Sequence, residues 1–489
     1  MLFTTPEFII FFVCVLAVIS AIKFRRFQHL FIVGSSYFFF YFSNNYLITL
    51  LIFSTLLDFY IGKAIFAAKD KKRKKILLIS SLAGNLGLLG FFKYADFAIL
   101  QFNILGQELN LNPDIPFLNL ALPIGISFYT FQTITYTVDI YREKLKPSDS
   151  VWEFALFVSF FPQLVAGPIL RASHFLPQLR EKISNNNIST RLRTITIHDT
   201  ALRFGITLMA VGFFKKMFFA DNVAPMVNEI FNVPYGLESF SVIIGAIAFG
   251  VQIYCDFSGY SDIAIGAALI LGFNIPANFN KPFFATSPSD YWSRWHISLS
   301  TWVRDYVYYP LVFKHRRSSI VVFSSLLFSM LLMGLWHGAS WNFLIWGGLH
   351  GIFLAVFTVL RKKYYKPTEP FFKSKFGKIF SIIITQYLVF FTFIAFRVQD
   401  LDALPYLFYK YLVWDFAINE TVQILSHNQI PIILIVGFFI LHYISYKKNI
   451  VKTLSEIKIV YWMGILLGMM TLILFFYDLS PEEFIYFRF

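Results

Sequence analysis

Residues 239–254 read S-F-S-V-I-I-G-A-I-A-F-G-V-Q-I-Y, sixteen consecutive positions without a charge. Phe8–Ile22, Tyr46–Ala68, Ile76–Phe92 and Pro431–Tyr446 are nearly as apolar. An α-helix rises about 1.5 Å per residue, so roughly 20 residues cross the ~30 Å hydrocarbon core of a bilayer. Within that slab each backbone N–H and C=O must find its partner inside the protein, which a helix provides from its own segment. A transmembrane β-barrel would instead show short segments of alternating hydrophobicity. The fold class is therefore all-α and polytopic, with about 11 transmembrane helices plus re-entrant pieces. Composition agrees, since 57% of the 489 residues are hydrophobic and 20% aromatic. No internal repeat and no low-complexity linker is visible, so residues 1–489 read as a single integral membrane domain.

The formal net charge of +14 does not point to nucleic acid. The basic residues stand in short clusters between apolar runs, where cytoplasmic loops carry them. The densest is Lys69–Lys75, six basic residues in seven, suited to anionic lipid head groups. Alternating these clusters across the membrane puts the N-terminus outside, together with the loop 93–116, the segment 399–427 and the tail Asp478–Phe489. Phe8–Ile22 lacks a basic leader and a small-residue cleavage site, and reads as a retained span. Cys14 and Cys255 lie in or beside apolar segments at no metal-ligand spacing, which predicts two buried thiols, no metal site and no bound cofactor.

Two places break the simple alternation. Val151–Leu170 is apolar but has basic regions at both ends and contains Pro162, Gly167 and Pro168. That pattern predicts a re-entrant or broken helix, tolerated in a membrane only where protein buries it or where it lines a cavity. Residues 255–290, rich in Gly, Asn and Pro and carrying Asp256, Asp262 and Asp290, predict a second such place, with an ordinary kinked span as the plain alternative.

Ionisable groups among apolar helices are candidates for chemistry. Ser289–Pro310 holds Asp290, Arg294, His296, Arg304 and Asp305 among three Trp and four Tyr, the composition of an amphipathic helix at the membrane interface. Arg304 and Asp305 serve equally well as interfacial anchors, as partners to each other, or as contacts to a substrate. The second constellation is G-L-W-H-G-A-S-W, residues 334–341, between two apolar runs. A neutral imidazole at such a junction accepts a proton near pH 7, and the small neighbour Gly338 leaves room for a substrate. A packed structural histidine is the alternative that these residues leave open.

Five separated blocks carry a family resemblance: L-P-I-G-I-S-F-Y-T-F-Q at 122–132, F-F-P-Q-L-V-A-G-P-I-L-R at 160–171, Y-C-D-F-S-G-Y-S-D-I-A-I-G at 254–266, Y-W-S-R-W-H-I-S-L-S-T-W-V-R-D-Y at 291–306 and W-H-G-A-S-W at 336–341. Together they resemble the membrane-bound O-acyltransferase family, in particular its bacterial alginate O-acetylation branch. The resemblance implies a fold with a central tunnel in the bacterial cytoplasmic (inner) membrane. It also implies an acyl thioester such as acetyl-CoA as donor substrate, and an extracytoplasmic polysaccharide as the final acceptor. It assigns catalysis to His337 and, at a second matching position, to His296, while His350 is left to packing. Trp336, Ser298, Arg304, Asp305 and Asp290 are the expected substrate contacts, and Ser298–Thr301 the hydroxyls that position the donor or its oxyanion.

The tail E-E-F-I-Y-F-R-F, residues 482–489, resembles a C-terminal motif in that branch. The resemblance implies that Tyr486 carries the acyl group to a partner transferase of the SGNH type, with a membrane-belt anchor as the simpler role. A transporter or flippase of a lipid-linked polysaccharide is the competing function, although such proteins often carry internal repeats.

Overall fold

The computed structural model describes residues 1–22, 25–111, 113–164, 167–184, 200–363, 370–477 and 484–485. They form helices joined by turns and extended stretches, as expected for an all-α polytopic protein. Seven helical stretches among them are long and apolar enough to cross a membrane: Phe27–Ala67, Lys71–Glu108, Ser239–Ile270, Ser319–His337, Trp341–Arg361, Lys375–Arg397 and Gln429–Lys447. Phe27–Ala67 is two consecutive helices with a turn at Asn45–Leu47, and Pro6–Ala21 and Ile459–Phe475 are apolar but shorter.

The chain divides into two compact units, one of residues Met1–Met209 with Ser261–Pro276, the other of Ala210–Tyr260 with Ala277–Phe489.

In the first unit, Asp70 caps the helix Lys71–Glu108 by accepting from the Arg73 amide at 3.0 Å. The sequence reading ends this span at Phe92 and places a loop from residue 93. The helix instead continues to Glu108, because no proline interrupts the chain before Pro113. Its 38 residues extend about 57 Å, well beyond the hydrocarbon core. Asp96 projects from it and accepts from the amides of Leu118 and Asn119 at 2.7 and 3.0 Å. Interior to this unit, Asp58 accepts from Ser81 Oγ at 2.6 Å and Asn85 Nδ2 at 2.8 Å, so the fully buried carboxyl is hydrogen-bonded on both oxygens.

The broken helix expected at Val151–Leu170 is present. Val151–Ser159 stops at Phe160, a single turn follows at Phe161–Leu164, and every residue from Phe154 to Leu164 is buried. Gly167 closes back on that turn so tightly that a Cβ would stand 2.3 Å from Gln163 Cα. Cys255 is buried, but Cys14 is exposed on Pro6–Ala21, contrary to the expectation of two buried thiols. A helix of that apolarity needs no protein cover on its lipid side, so an apolar environment and a protein interior are different places here.

The break expected within residues 255–290 is present, towards the middle of that stretch. Tyr254–Gly266 lies inside one uninterrupted helix, Ser239–Ile270, and the break comes only at Gly272, whose φ is 86°. Glycines in this stretch serve close approach of neighbouring backbones and do not end the helix: a Cβ on Gly259 would meet Gly212 O at 2.7 Å. Of its most apolar window 78% is buried, against 17% for Lys71–Glu108, which makes Ser239–Ile270 a central helix and the other a lipid-facing one.

Candidate functional site

The site lies in the second unit and begins with a helical hairpin. Ser319–His337 starts at the Ser318 cap, and Trp341–Lys363 follows after three residues. The two backbones touch. A Cβ on Gly334 would lie 2.2 Å from Phe343 O, one on Gly347 2.4 Å from Met330 O, and one on Gly338 2.1 Å from the Phe343 ring. Small residues at these positions therefore set the crossing that carries His337 in the last turn of the first helix.

His337 is 4% exposed and enclosed by aromatic rings: Trp346 at 4.8 Å, Trp336 at 4.9 Å and Phe396 at 5.2 Å between centroids. Trp346 also touches His350 at 4.8 Å. The Thr392 hydroxyl donates to Val389 O at 2.7 Å and lies 2.9 Å from His350 Nε2. With the Thr392 proton given to Val389 O, His350 Nε2 is the donor in this contact. The ring is thus held as a donor, consistent with the packing role expected for it.

Ser289–Pro310 is not the single amphipathic helix that its composition predicts. It forms Pro288–Trp292, Ile297–Val303, a π-helical stretch Arg304–Tyr308 and Tyr309–Val312, and Tyr291, Trp292, Trp295, His296 and Trp302 are buried rather than lying at an interface. Asp290 closes the first turn: its carboxylate accepts from the Thr286 amide at 3.0 Å and pairs with Arg294 Nε at 2.7 Å. The chain then reverses at His296, whose φ of 41° and ψ of 56° are costly for a residue with a Cβ.

Asn278 holds this reversal. Its carbonyl oxygen accepts from the Ile297 amide at 2.9 Å, and its side-chain Oδ1 accepts from Ser298 Oγ at 2.7 Å and the Ser298 amide at 3.3 Å. His296 Nδ1 stands 3.2 Å from the same Oδ1. Because a backbone N–H points at that atom it is the oxygen of the amide, so Nδ1 bears the hydrogen and Nε2 keeps a lone pair. His296 is fully buried, and its Nε2 has no hydrogen-bond partner among the described residues. Sequence reasoning passed over Asn278. Its signal is weak: one of three asparagines, with Asn274 and Asn280, in a turn-forming stretch.

Trp336 joins the two histidines, with its ring 5.9 Å from His296 and 4.9 Å from His337. A half-enclosed cavity of about 460 Å³ is lined by residues of the same helices, among them Trp292, Ile297, Ser300, Thr301, Arg304 and Met333, while His296, Trp336 and His337 lie behind its wall and do not line it. Ser298 is turned to Asn278, and within Ser298–Thr301 the hydroxyl residues that line the cavity with Arg304 are Ser300 and Thr301. Arg304 and Asp305 pair with each other through two contacts, of 2.8 and 3.3 Å, on a surface where Arg304 is half exposed. Of the residues singled out in the sequence, His296, Trp336 and His337 thus come together, Ser298 adjoins them through Asn278, and Asp290 and Asp305 sit in local ion pairs.

Tyr486 lies outside the described residues. Its neighbours Phe484 and Ile485 are buried, and the Phe484 ring packs on Tyr260 at 4.3 Å. These two residues pack against the protein, because an apolar pair gains more from burial against aromatic rings than from exposure at a membrane surface.

Residues 8–399 match the membrane-bound O-acyltransferase family. The chain is 36% identical to a probable alginate O-acetylase of Azotobacter vinelandii over 365 residues, 74% of this chain and 69% of that protein. It is 34% identical to a peptidoglycan O-acetyltransferase of Helicobacter pylori over 432 residues, 82% of this chain and 78% of that one. It is 29% identical to a teichoic acid D-alanyltransferase of Bacillus subtilis over 298 residues, 58% and 71% of the two chains.

Proposed function

The chain belongs to the membrane-bound O-acyltransferase family, and from that premise we propose that it moves an acetyl group from a cytoplasmic thioester such as acetyl-CoA towards an extracytoplasmic polysaccharide. In this reading residues 1–489 act as one catalytic domain in the bacterial cytoplasmic membrane. The names of the alginate and peptidoglycan relatives support acetyl as the group and a polysaccharide as its destination. The physical logic is economy of transport, because a charged thioester crosses a bilayer at far greater cost than the acyl group alone.

The observation that carries the chemistry is the pair of buried imidazoles, His296 and His337, both in ring contact with Trp336. His337 is the general base. It takes the proton of an attacking hydroxyl as the oxygen bonds to the thioester carbonyl carbon, and returns it to the sulfur as the carbon–sulfur bond breaks. His296 presents a lone pair at Nε2, so it aligns a hydroxyl and does not donate to an oxyanion. The hydroxyls of Ser300 and Thr301 in the cavity wall donate to Trp295 O at 3.0 Å and Ser298 O at 3.1 Å, so in this reading they turn to the oxyanion only when the thioester is bound. Arg304 contributes a positive charge for an anionic donor.

Tyr486 is the first hydroxyl to be acylated in this scheme. A phenyl ester has a leaving group of pKa about 10, which makes it a better acyl donor than an alkyl ester. The ester is then discharged to a partner, an extracytoplasmic SGNH-type transferase. The test uses full-length protein in nanodiscs with a labelled acetyl thioester. His337→Gln at normal yield should lose transfer, and mass spectrometry of the parent protein's C-terminal peptide should show an acetyl adduct. Transfer at the parent's rate by His337→Gln would remove the base. Turnover without any adduct would remove the relay.

A further inference from the structure

The helix Thr200–Phe213 passes into a π-helical stretch, Phe214–Ala220, before the helix Asp221–Phe231 begins. Such stretches are uncommon and gather at functional sites. This one carries Lys216, 2% exposed, with Nζ 2.6 Å from Asp221 Oδ1 and 2.8 Å from Asp256 Oδ1. The cluster thus sets one cation against two carboxylates inside the protein. Burying charge is expensive unless each group is matched, and Lys216 divides its charge between the two carboxylates.

A further partner comes from far away in sequence. Asp256 Oδ2 accepts from the backbone N–H of Ile485 at 2.7 Å across 229 residues. Phe484, fully buried, packs beside it on Tyr260 at 4.3 Å and on Phe257 at 5.9 Å between centroids. Phe257 is also the residue that touches His296, at 4.6 Å. One helix, Ser239–Ile270, therefore presents a carboxylate to the amide of Ile485, a ring to Phe484 and a ring to His296 within two turns.

We propose that Asp256, balanced by Lys216, is the docking point that holds Phe484 and Ile485 one ring, Phe257, away from His296, and that it acts as a positioning residue for the acyl relay. The docking stands on the contacts above, and its functional consequence rests on the relay reading of Tyr486. Tyr486 is the next residue in the sequence, which is why an anchor at Ile485 bears on the relay. A charge-assisted bond to a main-chain amide fixes position without consuming a side chain of the tail.

The experiment is hydrogen exchange followed by mass spectrometry on the full-length protein in nanodiscs, reading the C-terminal peptide. Asp256→Ala removes the acceptor but leaves Lys216 paired with Asp221, so no buried charge is stranded. Ile485→Pro removes the donor and leaves the ions untouched. Each variant should speed amide exchange around Phe484 at least tenfold while the hairpin 319–363 keeps the parent's protection, and Asp256→Asn, which keeps an acceptor oxygen, should fall between. Transfer should show a lower kcat with an unchanged KM for the thioester. Parent-like exchange in both Asp256→Ala and Ile485→Pro would overturn the docking. Tyr486→Phe separates the two ideas: it should abolish transfer with tail exchange unchanged, and retained transfer would sink the relay while the docking is still judged by exchange.

Discussion

Replacing Gly334 by alanine adds one methyl group where two helices already touch. That Cβ would stand 2.2 Å from the carbonyl oxygen of Phe343, whereas ordinary contact begins near 3.4 Å. The obstacle is backbone, so no side-chain rotation relieves it, and the hairpin must open locally by roughly 1 Å, the shortfall between those distances. His337 lies three residues further along the same helix and moves with it. A displacement of that size at a reacting group costs on the order of 100-fold in rate. The same loss is about 2.7 kcal/mol of transition-state stabilisation. The assay is single-turnover acetyl transfer from a thioester by purified full-length protein, with helical content checked by circular dichroism. Gly348 supplies the control, because a Cβ there meets only Leu331 Cδ2 at 3.6 Å, an ordinary contact. Gly348→Ala should stay within about twofold of the parent, as expected for an alanine that fits without strain. A correctly folded Gly334→Ala protein with the parent's rate would refute the link between this crossing and the placement of His337.

Three further outcomes follow from the geometry. Asn278→Ala leaves three buried donors facing one missing oxygen, the His296 Nδ1–H and the amide and hydroxyl of Ser298. At about 1–3 kcal/mol for each unpaired group it should lower the thermal midpoint, and it should also lower kcat by releasing the His296 ring, as differential scanning fluorimetry and steady-state kinetics would show. Thr392→Val takes the acceptor from His350 and should cost about 1–3 kcal/mol of stability in denaturant titration, with transfer within a few-fold of the parent. Because a maleimide captures thiolate in water, lipid-facing Cys14 and buried Cys255 should both escape it in the membrane-embedded protein and both react after denaturation, as peptide mass spectrometry would reveal.

One feature of the site and one of the first unit are legible in the one-dimensional pattern because their causes are local. The W-H-G junction separates two apolar runs, so a helix end at His337 and a helix start at Trp341 follow from the letters themselves. The break in Val151–Leu170 follows from Pro162, Gly167 and Pro168 between two basic ends. Other readings failed where one residue type serves two purposes. Gly259 looks like a helix breaker, yet in a packed membrane helix it is the place where another backbone passes. The aromatic and charged residues of Ser289–Pro310 match an interfacial helix in composition, but the chain turns at His296 and folds the rings inward.

What the sequence determines alone is the class of protein: charge-free runs of helical length, basic clusters between them, and motif blocks that mark an acyltransferase. Hydropathy and the need to satisfy the backbone in lipid are properties of short segments, so they are readable without a fold. The tertiary structure alone decides which groups meet. Asn278 reaches His296 across 18 residues, and the amide of Ile485 reaches Asp256 across 229. No local pattern encodes such pairings, because each depends on where helices cross, and that is set by packing summed over many side chains.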